Sequence, residues 1–190
     1  MLRSVEGIIL KTASFGEASH IITLITKECG VVSLVAKKHN CKGMPSYSPL
    51  IKVEAEVIQS HKELWKCGSL QLIASYQRLR LDLMRLKMAS FLAKFLLAVL
   101  VPHAPVEKLY TYFDDCLTLL AERDNPHTIV SAFLLKLLHE EGQLASSLFF
   151  SQEEQALCHF LVHTPFQELC EPYCSENFAR KVARYITHRT

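Results

Sequence analysis

The sequence predicts an α+β protein in which a small β-barrel precedes a bundle of helices. Up to residue 78, the apolar residues lie in short runs broken by Gly or polar clusters, and some runs alternate apolar with polar residues as strands do. From residue 79 onward, the apolar residues recur with the spacing of a helix face. We therefore expect a β-rich unit over 1–78 and an α-helical unit over 79–190.

Five β-rich runs provide the strands of the first unit. The clearest follows Pro49, where four apolar residues alternate with polar ones, so that one face of the strand is buried. Another alternating run ends at Tyr76, and a polar turn between these two runs predicts a hairpin. Five strands are the number expected of an OB-fold barrel, and an open five-stranded sheet is the alternative. The runs are 6–12, 21–26, 30–38, 51–57 and 70–76.

Five helices are expected in the second unit. The segment from Asp82 to Val101 is apolar on almost every side, which predicts a central helix that Pro102 ends. Asn125 is the expected N-cap of the third helix, because Pro126 follows at its first position. The other boundary signals are Gly142 after the third helix, a Ser151 and Glu154 capping box on the fourth, and Ser175 before the last.

The charge of the chain is unevenly distributed. The 190 residues carry a formal net charge of +2. Residues 1–78 hold ten Lys and Arg against six Asp and Glu, a net of +4, whereas residues 79–190 hold eleven against thirteen, a net of −2. A polyanion is therefore expected to meet the β-rich unit first.

Lysines and aromatic residues near the strand ends are candidate nucleic-acid contacts. Lysine side chains suit the irregular spacing of phosphates, and an exposed ring can stack on a base for about 1–3 kcal/mol. The alternative is an ordinary solvated loop, since lysines at strand ends are common. The candidates are Lys11, Phe15, Lys37, Lys38, Lys42, Tyr47 and Lys52.

Catalytic motifs are missing from the sequence. It contains no Gly-x-x-x-x-Gly-Lys-Ser/Thr phosphate loop, no Gly-x-Ser-x-Gly turn and no His-Glu-x-x-His zinc helix. Adjacent carboxylates on helices diverge and do not share a proton or a metal. We therefore expect a protein that is not an enzyme and that uses no nucleotide cofactor.

Seven cysteines, an odd number, lie without the paired spacing of a disulfide framework, and we interpret most of them as reduced thiols. One group deserves consideration as a zinc site, and its members are Cys158, His159, His163, Cys170 and Cys174. The only close cysteine pair is separated by three residues, including Pro172, whereas structural zinc sites usually use Cys-x-x-Cys. We expect no bound metal.

The first forty residues resemble the opening of the RecO family of bacterial recombination-mediator proteins. The resemblance rests on Glu-Gly-Ile-Ile-Leu-Lys-Thr at 6–12, Phe-Gly-Glu at 15–17, Thr-Leu-Ile-Thr at 23–26, and a Gly30-led strand that ends in Ala36-Lys37. The pattern of helices over 79–142 is also similar, whereas the likeness beyond 143 is weak. Many members of the family carry a four-cysteine zinc motif at the position of 142–150, where this sequence has no cysteine.

The resemblance implies a non-enzymatic mediator of recombinational DNA repair. Proteins of this kind bind single- and double-stranded DNA, anneal strands without ATP, contact the single-strand-binding protein and a RecR partner, and help load the RecA recombinase. The resemblance also places four lysines on a DNA-contacting surface: Lys11, Lys37, Lys38 and Lys42. An adaptor that serves only protein contacts is the alternative function.

Three cations of the helical unit are candidate contacts for the acidic tail of a partner: Arg80, Arg85 and Lys87. Salt bridges at helix ends are the alternative for these residues.

The first residues lack the pattern of a signal peptide, and the apolar run over 91–101 is shorter than the roughly 20 residues that cross a bilayer. We expect a cytoplasmic, nucleoid-associated protein.

Overall fold

The computed structural model describes residues 2–37, 41–42, 47–59, 64–144, 149–169 and 173–187, with the backbone alone for 41–42. The N-terminal unit is a β-sheet whose strands are β1 (Leu2–Phe15), β2 (Ser19–Thr26), β3 (Gly30–Lys37), β4 (Cys41–Lys42), β5 (Lys52–Ile58) and β6 (Leu64–Ala74).

The five long strands close into a barrel. Strand β1 pairs antiparallel with β2 and β5, β2 pairs with β3, and β5 pairs with β6. The barrel closes where β3 pairs with β6 in parallel, and the short β4 also pairs with β6. The predicted OB-fold barrel is therefore confirmed, and the alternative of an open sheet is wrong.

A β-bulge in β1 divides the outside of the barrel into two parts. Ile9 pairs with Leu24 but Lys11 pairs with Thr23, so Leu10 is the extra residue. Before the bulge, Ile8 lies in a row of paired residues with Ile25 and Val31, and the helices cover this row. After the bulge, the outside of β1 is exposed to solvent.

The helical unit contains α1 (Gln77–Leu81), α2 (Leu83–Val99), α3 (Glu107–Glu122), α4 (Pro126–Glu140), α5 (Gln152–His163) and α6 (Glu176–Thr187). The predicted helices are confirmed, and the short α1 is an addition. Asp82 ends α1 and caps α2, because its side chain accepts hydrogen bonds from the next helix. The capping box of Ser151 and Glu154 forms as predicted. None of the described helices is long and apolar enough to cross a membrane.

The predicted N-cap of α4 is confirmed, and its side chain bonds outside the helix. Asn125 occupies the N-cap position of α4, but its side chain makes no capping hydrogen bond. Instead, its amide group donates to the carbonyl of Leu169 at 3.1 Å and joins α4 to the segment after α5. The N-terminus of α4 therefore depends on Pro126, which needs no hydrogen-bond acceptor for its nitrogen.

A polar cluster joins the barrel to α3, and we call it the junction cluster. Lys52 of β5 lies 2.9 Å from Glu6 and 2.8 Å from Asp114. The hydroxyl of Tyr76 donates to Asp114, and that of Tyr110 donates to Glu6 at 2.9 Å. Burial opposes the charge of Lys52, but its two carboxylate partners outweigh burial and raise its pKa. The two carboxylates therefore stabilise the charged form of Lys52 at this half-buried position.

A second contact between the two units requires a glycine. The backbone nitrogen of His103 donates to the carbonyl of Val31 at 3.1 Å, just after α2. Gly30 has φ of 62°, and a Cβ atom added there would lie 2.0 Å from the carbonyl oxygen of Ala104. A side chain at position 30 would therefore both strain the backbone and push this segment off the barrel.

The substitution Asp114→Ala tests the junction cluster. It removes one of the two carboxylate partners of Lys52 and the hydrogen-bond acceptor of Tyr76, so we expect the free energy of unfolding to fall by about 1–3 kcal/mol in denaturant titrations followed by circular dichroism. The matched control is Lys27→Ala, which removes another ion pair between the barrel and α3, 2.9 Å from Glu107 and largely exposed. The control should lower stability clearly less than Asp114→Ala does, because solvent screens the exposed pair. Equal losses in the two variants would contradict a special role for the cluster.

Candidate nucleic-acid interface

One part of the barrel surface that the helices leave open forms the candidate interface, and we call it the outer face. It consists of alternate residues on four neighbouring strands, all exposed or half-buried. Its members are Lys11, Ala13 and Phe15 on β1, Ser19, Ile21 and Thr23 on β2, Ser33, Val35 and Lys37 on β3, and Leu64 and Lys66 on β6.

The register of the sheet brings the predicted contacts together. Ser19 pairs with both Phe15 and Lys37, so these three residues form one row across the sheet. Lys11 begins a second row, four residues back along β1 and therefore about 13 Å from Phe15. Phe15 is 51% exposed at the end of its strand, where its ring is open to solvent. The outer face thus combines Lys11, Lys37 and an exposed aromatic ring.

Lys66 is a cation of the outer face that the sequence argument missed. It pairs with Val35 in the parallel ladder between β3 and β6 and therefore points to the same side of the sheet. Its signal in the sequence is the alternation of buried Trp65 and Cys67 with an exposed lysine between them. That pattern alone does not place Lys66 on the outer face, because β6 lies beside β3 only when the barrel closes.

The outer face is electropositive because it carries three lysines and no carboxylate. None of its residues is Asp or Glu. The hydroxyls of Thr23 and Ser33 lie 3.2 Å apart and hydrogen bond to each other. Within the described residues, no ion pair involves Lys11, Lys37 or Lys66. Their charges are therefore available to phosphate groups.

The structure corrects the prediction that Tyr47 stacks on bases. Its side chain is only 6% exposed, and its hydroxyl donates to the backbone carbonyl of Lys37. Its ring packs 5.0 Å from that of His20, and its own carbonyl accepts a hydrogen bond from Thr12 at 2.7 Å. Tyr47 therefore packs inside one end of the barrel and offers no surface to a ligand.

The prediction for Lys52 is also corrected. Its side chain is 17% exposed and lies between Glu6 and Asp114 in the junction cluster, so its charge is already neutralised. Lys38 and the side chain of Lys42 lie outside the described residues. Of the predicted contact residues that the structure describes, three face solvent: Lys11, Phe15 and Lys37.

Two of the three candidate partner contacts are occupied by structural interactions. Arg80 donates to two backbone carbonyls of the β-rich unit at 2.9 Å each. Arg85 pairs with Asp82 at 3.2 Å and Asp124 at 2.7 Å. Of the three, only Lys87 is exposed and has neither an ion pair nor a side-chain hydrogen bond within the described residues. The salt-bridge interpretation therefore holds for Arg85, and Arg80 fastens α1 to the barrel.

The candidate zinc ligands do not converge. Cys158 and Cys174 are buried, and burial raises the pKa of both thiols, to about 11 for Cys158. His159 and His163 are exposed, and Cys170 lies outside the described residues. Among the residues that the structure describes, no three His, Cys, Asp or Glu side chains are arranged to hold a metal ion.

Comparison with known families agrees with the resemblance. Residues 1–76 match the profile described as Recombination protein O N terminal, and residues 80–146 match the profile described as Recombination protein O C terminal. The chain belongs to the RecO family. The boundary between the two matches falls beside the end of the barrel, in or next to α1.

Curated relatives carry the name DNA repair protein RecO. The chain is 30% identical to the protein from Nostoc punctiforme over 80% of its length and 51% of the relative. It is 28% identical to that from Exiguobacterium sibiricum, over 75% of this chain and 58% of the relative. It is 29% identical to the protein from Acetivibrio thermocellus, over 72% of this chain and 56% of the relative. The chain thus spans about half the length of the curated relatives it matches.

We expect alanine substitution to weaken oligonucleotide binding at Phe15 and to lower stability at Tyr47. Phe15→Ala removes an exposed ring, so it should weaken binding of a single-stranded oligonucleotide by about 1–3 kcal/mol and leave the melting temperature unchanged. Tyr47→Ala removes a buried ring and should cost about 3 kcal/mol of stability. Fluorescence anisotropy and thermal melting measure the two effects. A Phe15→Ala variant that binds like wild type would remove base stacking from the outer face.

Proposed function

We propose that this chain is a non-enzymatic, DNA-binding recombination mediator in DNA repair. It binds and anneals single strands and helps load a recombinase onto coated strands. One observation carries the proposal: Lys11, Lys37, Lys66 and Phe15 share the outer face, which holds no carboxylate. Membership of the RecO family supports the same function.

The proposed mechanism is electrostatic. Lysines on the outer face neutralise phosphates and release counterions, which lowers the repulsion between two strands that approach each other. Contacts to the backbone leave the base edges free to pair, so annealing needs no chemical step and no nucleotide cofactor. Phe15 holds an unpaired base by stacking, in the manner of proteins that bind single strands without sequence preference.

Protein partners complete the proposal. Access to coated strands requires contact with the single-strand-binding protein, and we also propose a RecR-like partner and an indirect action on RecA. Three apolar side chains are strongly exposed where α1 meets α2, at 86% for Leu81 at the end of α1, and 67% for Leu83 and 51% for Met84 at the start of α2. Exposed apolar residues this close together are typical of protein contact surfaces.

The same observation favours a second candidate function, an adaptor of the repair machinery that binds proteins and has weak or no DNA binding. In that case the surface around Leu81, Leu83 and Met84 is functional and the outer face is an ordinary basic surface. Annealing distinguishes the two functions, because an adaptor without strand binding does not speed it.

The decisive experiment measures binding to single-stranded DNA against salt concentration. We expect the triple variant Lys11→Gln, Lys37→Gln and Lys66→Gln to bind more weakly and to flatten the dependence of log K on log salt by about 0.7 for each lost phosphate contact. The variant should also slow annealing of complementary strands without ATP.

A matched control removes the same charge elsewhere. The substitutions Lys27→Gln, Lys108→Gln and Arg184→Gln change exposed cations that lie off the outer face. This control should keep the wild-type slope. If the slope of log K against log salt falls equally in both triple variants, binding depends on net charge and the outer face is not the interface. No annealing by the wild type at low salt would favour the adaptor.

A further inference from the structure

Three histidines meet on the surface of the helical unit. The ring centroids of His159 and His163 lie 4.4 Å apart, and the ring of His139 lies 5.4 Å from that of His163 in an edge contact. His139 belongs to α4, whereas the other two belong to α5. All three residues are exposed. Two helices therefore bring three imidazoles to one place on the surface.

The spacing of two of these histidines suits a metal ion. His159 and His163 are four residues apart on one helix, so their side chains project from the same face of α5. Paired histidines at this spacing are an arrangement that binds zinc from one face of a helix. The neighbouring Cys158 and Cys174 are buried in the hydrophobic core, and the third imidazole comes from His139.

A buried lysine holds the two helices at this separation. Lys136 of α4 is 6% exposed, and its ammonium group donates to the carbonyls of Val162 at 2.6 Å and Thr164 at 2.7 Å. These carbonyls flank His163, so the two bonds fasten the end of α5 to α4 about one turn before His139. The backbone around the histidines is therefore held in place, while the exposed rings can rotate about their side-chain torsions.

The electrostatic surroundings favour a cation. His139 lies in the last turn of α4 and His163 in the last turn of α5. The C-terminal end of a helix carries a partial negative charge, so both helices end with that charge beside the same rings. Residues 106–171 are also acidic, with eleven Asp and Glu against three Lys and Arg, a net of −8. The ammonium group of Lys136 opposes a second cation, and its two carbonyl partners partly offset its charge.

We propose that His159 and His163 bind a divalent transition-metal ion such as Zn²⁺ through one ring nitrogen each, and that His139 becomes the third ligand when its ring turns towards the ion. In the structure, the three rings contact one another and do not surround one point, so the third ligand requires this rotation. Water takes the remaining position of a four-coordinate ion.

The ligand type decides which ions fit and what they do to the protein. Imidazole nitrogens suit Zn²⁺, Ni²⁺ and Cu²⁺, whereas Mg²⁺ and Ca²⁺ take oxygen ligands. Because the ligands come from both α4 and α5, a bound ion cross-links the two helices. An ion that binds only the folded state also stabilises that state by mass action.

Isothermal titration calorimetry with ZnCl₂ tests the proposal on the full chain under reducing conditions at about pH 7.5. We expect about one Zn²⁺ per chain, bound at least about tenfold more weakly by His163→Gln, which removes the central ring. His159→Gln and His139→Gln should each weaken binding as well. At about pH 5.5 the imidazoles are protonated and binding should be lost, and MgCl₂ should not bind at either pH.

Thermal melting provides a second readout. Saturating Zn²⁺ should raise the melting temperature of wild type by about 5 °C and that of His163→Gln by clearly less. Without added metal, the two proteins should melt alike, because the substituted side chain is exposed. Circular dichroism checks that the variant remains folded.

Two control variants make the test specific. His127→Gln removes a histidine from the same helix as His139, twelve residues earlier and therefore about 18 Å away along the axis. Cys29→Ser removes a partly exposed free thiol, which is another possible zinc ligand. Both variants should bind Zn²⁺ like wild type.

The inference is independent of the proposed function. None of the three histidines lies on the outer face, so their variants should bind single-stranded oligonucleotides like wild type. Loss of zinc binding and loss of strand binding are therefore separate outcomes.

Three results would overturn the inference. The first is no binding of Zn²⁺ by wild type. The second is unchanged zinc affinity in His163→Gln or His139→Gln, because the first would remove the site and the second the cross-link between the helices. The third is loss of zinc binding in Cys29→Ser with none in the histidine variants, which would assign the ion to a thiol.

Discussion

The ion pair between Lys52 and Asp114 joins the barrel to the helices beside the hydrophobic core that the two units share. Lys52 comes from β5 and Asp114 from α3, and their side chains are only 17% and 25% exposed. Because a partly buried charge without a partner is costly, an arrangement of the two units that separated this pair would be disfavoured. Glu6, Tyr76 and Tyr110 hydrogen bond into the same cluster, so both carboxylates and the ammonium group have several partners.

This arrangement decides which part of the barrel is open. The helices cover the row of Ile8, Ile25 and Val31, and the surface beyond the bulge at Leu10 stays exposed. The outer face follows from that boundary, and Lys11 is its first residue after the bulge.

Much of the fold could be predicted from the sequence, because alternation and capping signals are local. The site was harder, because exposure depends on how distant elements dock. Alternation correctly placed Lys52 on the outside of its strand, but only the docking of α3 covers it. Tyr47 lies among turn residues that suggest an exposed loop, yet its ring packs inside the barrel. Lys66 joins the interface only because β3 and β6 pair, which no local pattern predicts.

We expect the barrel and the helical unit to unfold as one body, because they share one hydrophobic core. Trp65, the only tryptophan, is buried in the barrel and stacks on His103 after α2, so its fluorescence reports on the barrel and on this contact. Circular dichroism at 222 nm, a wavelength dominated by helices, reports on the helical unit. Both signals should change at the same denaturant concentration in one cooperative transition. Two separate transitions, with the barrel and the helices unfolding at different concentrations, would contradict the account.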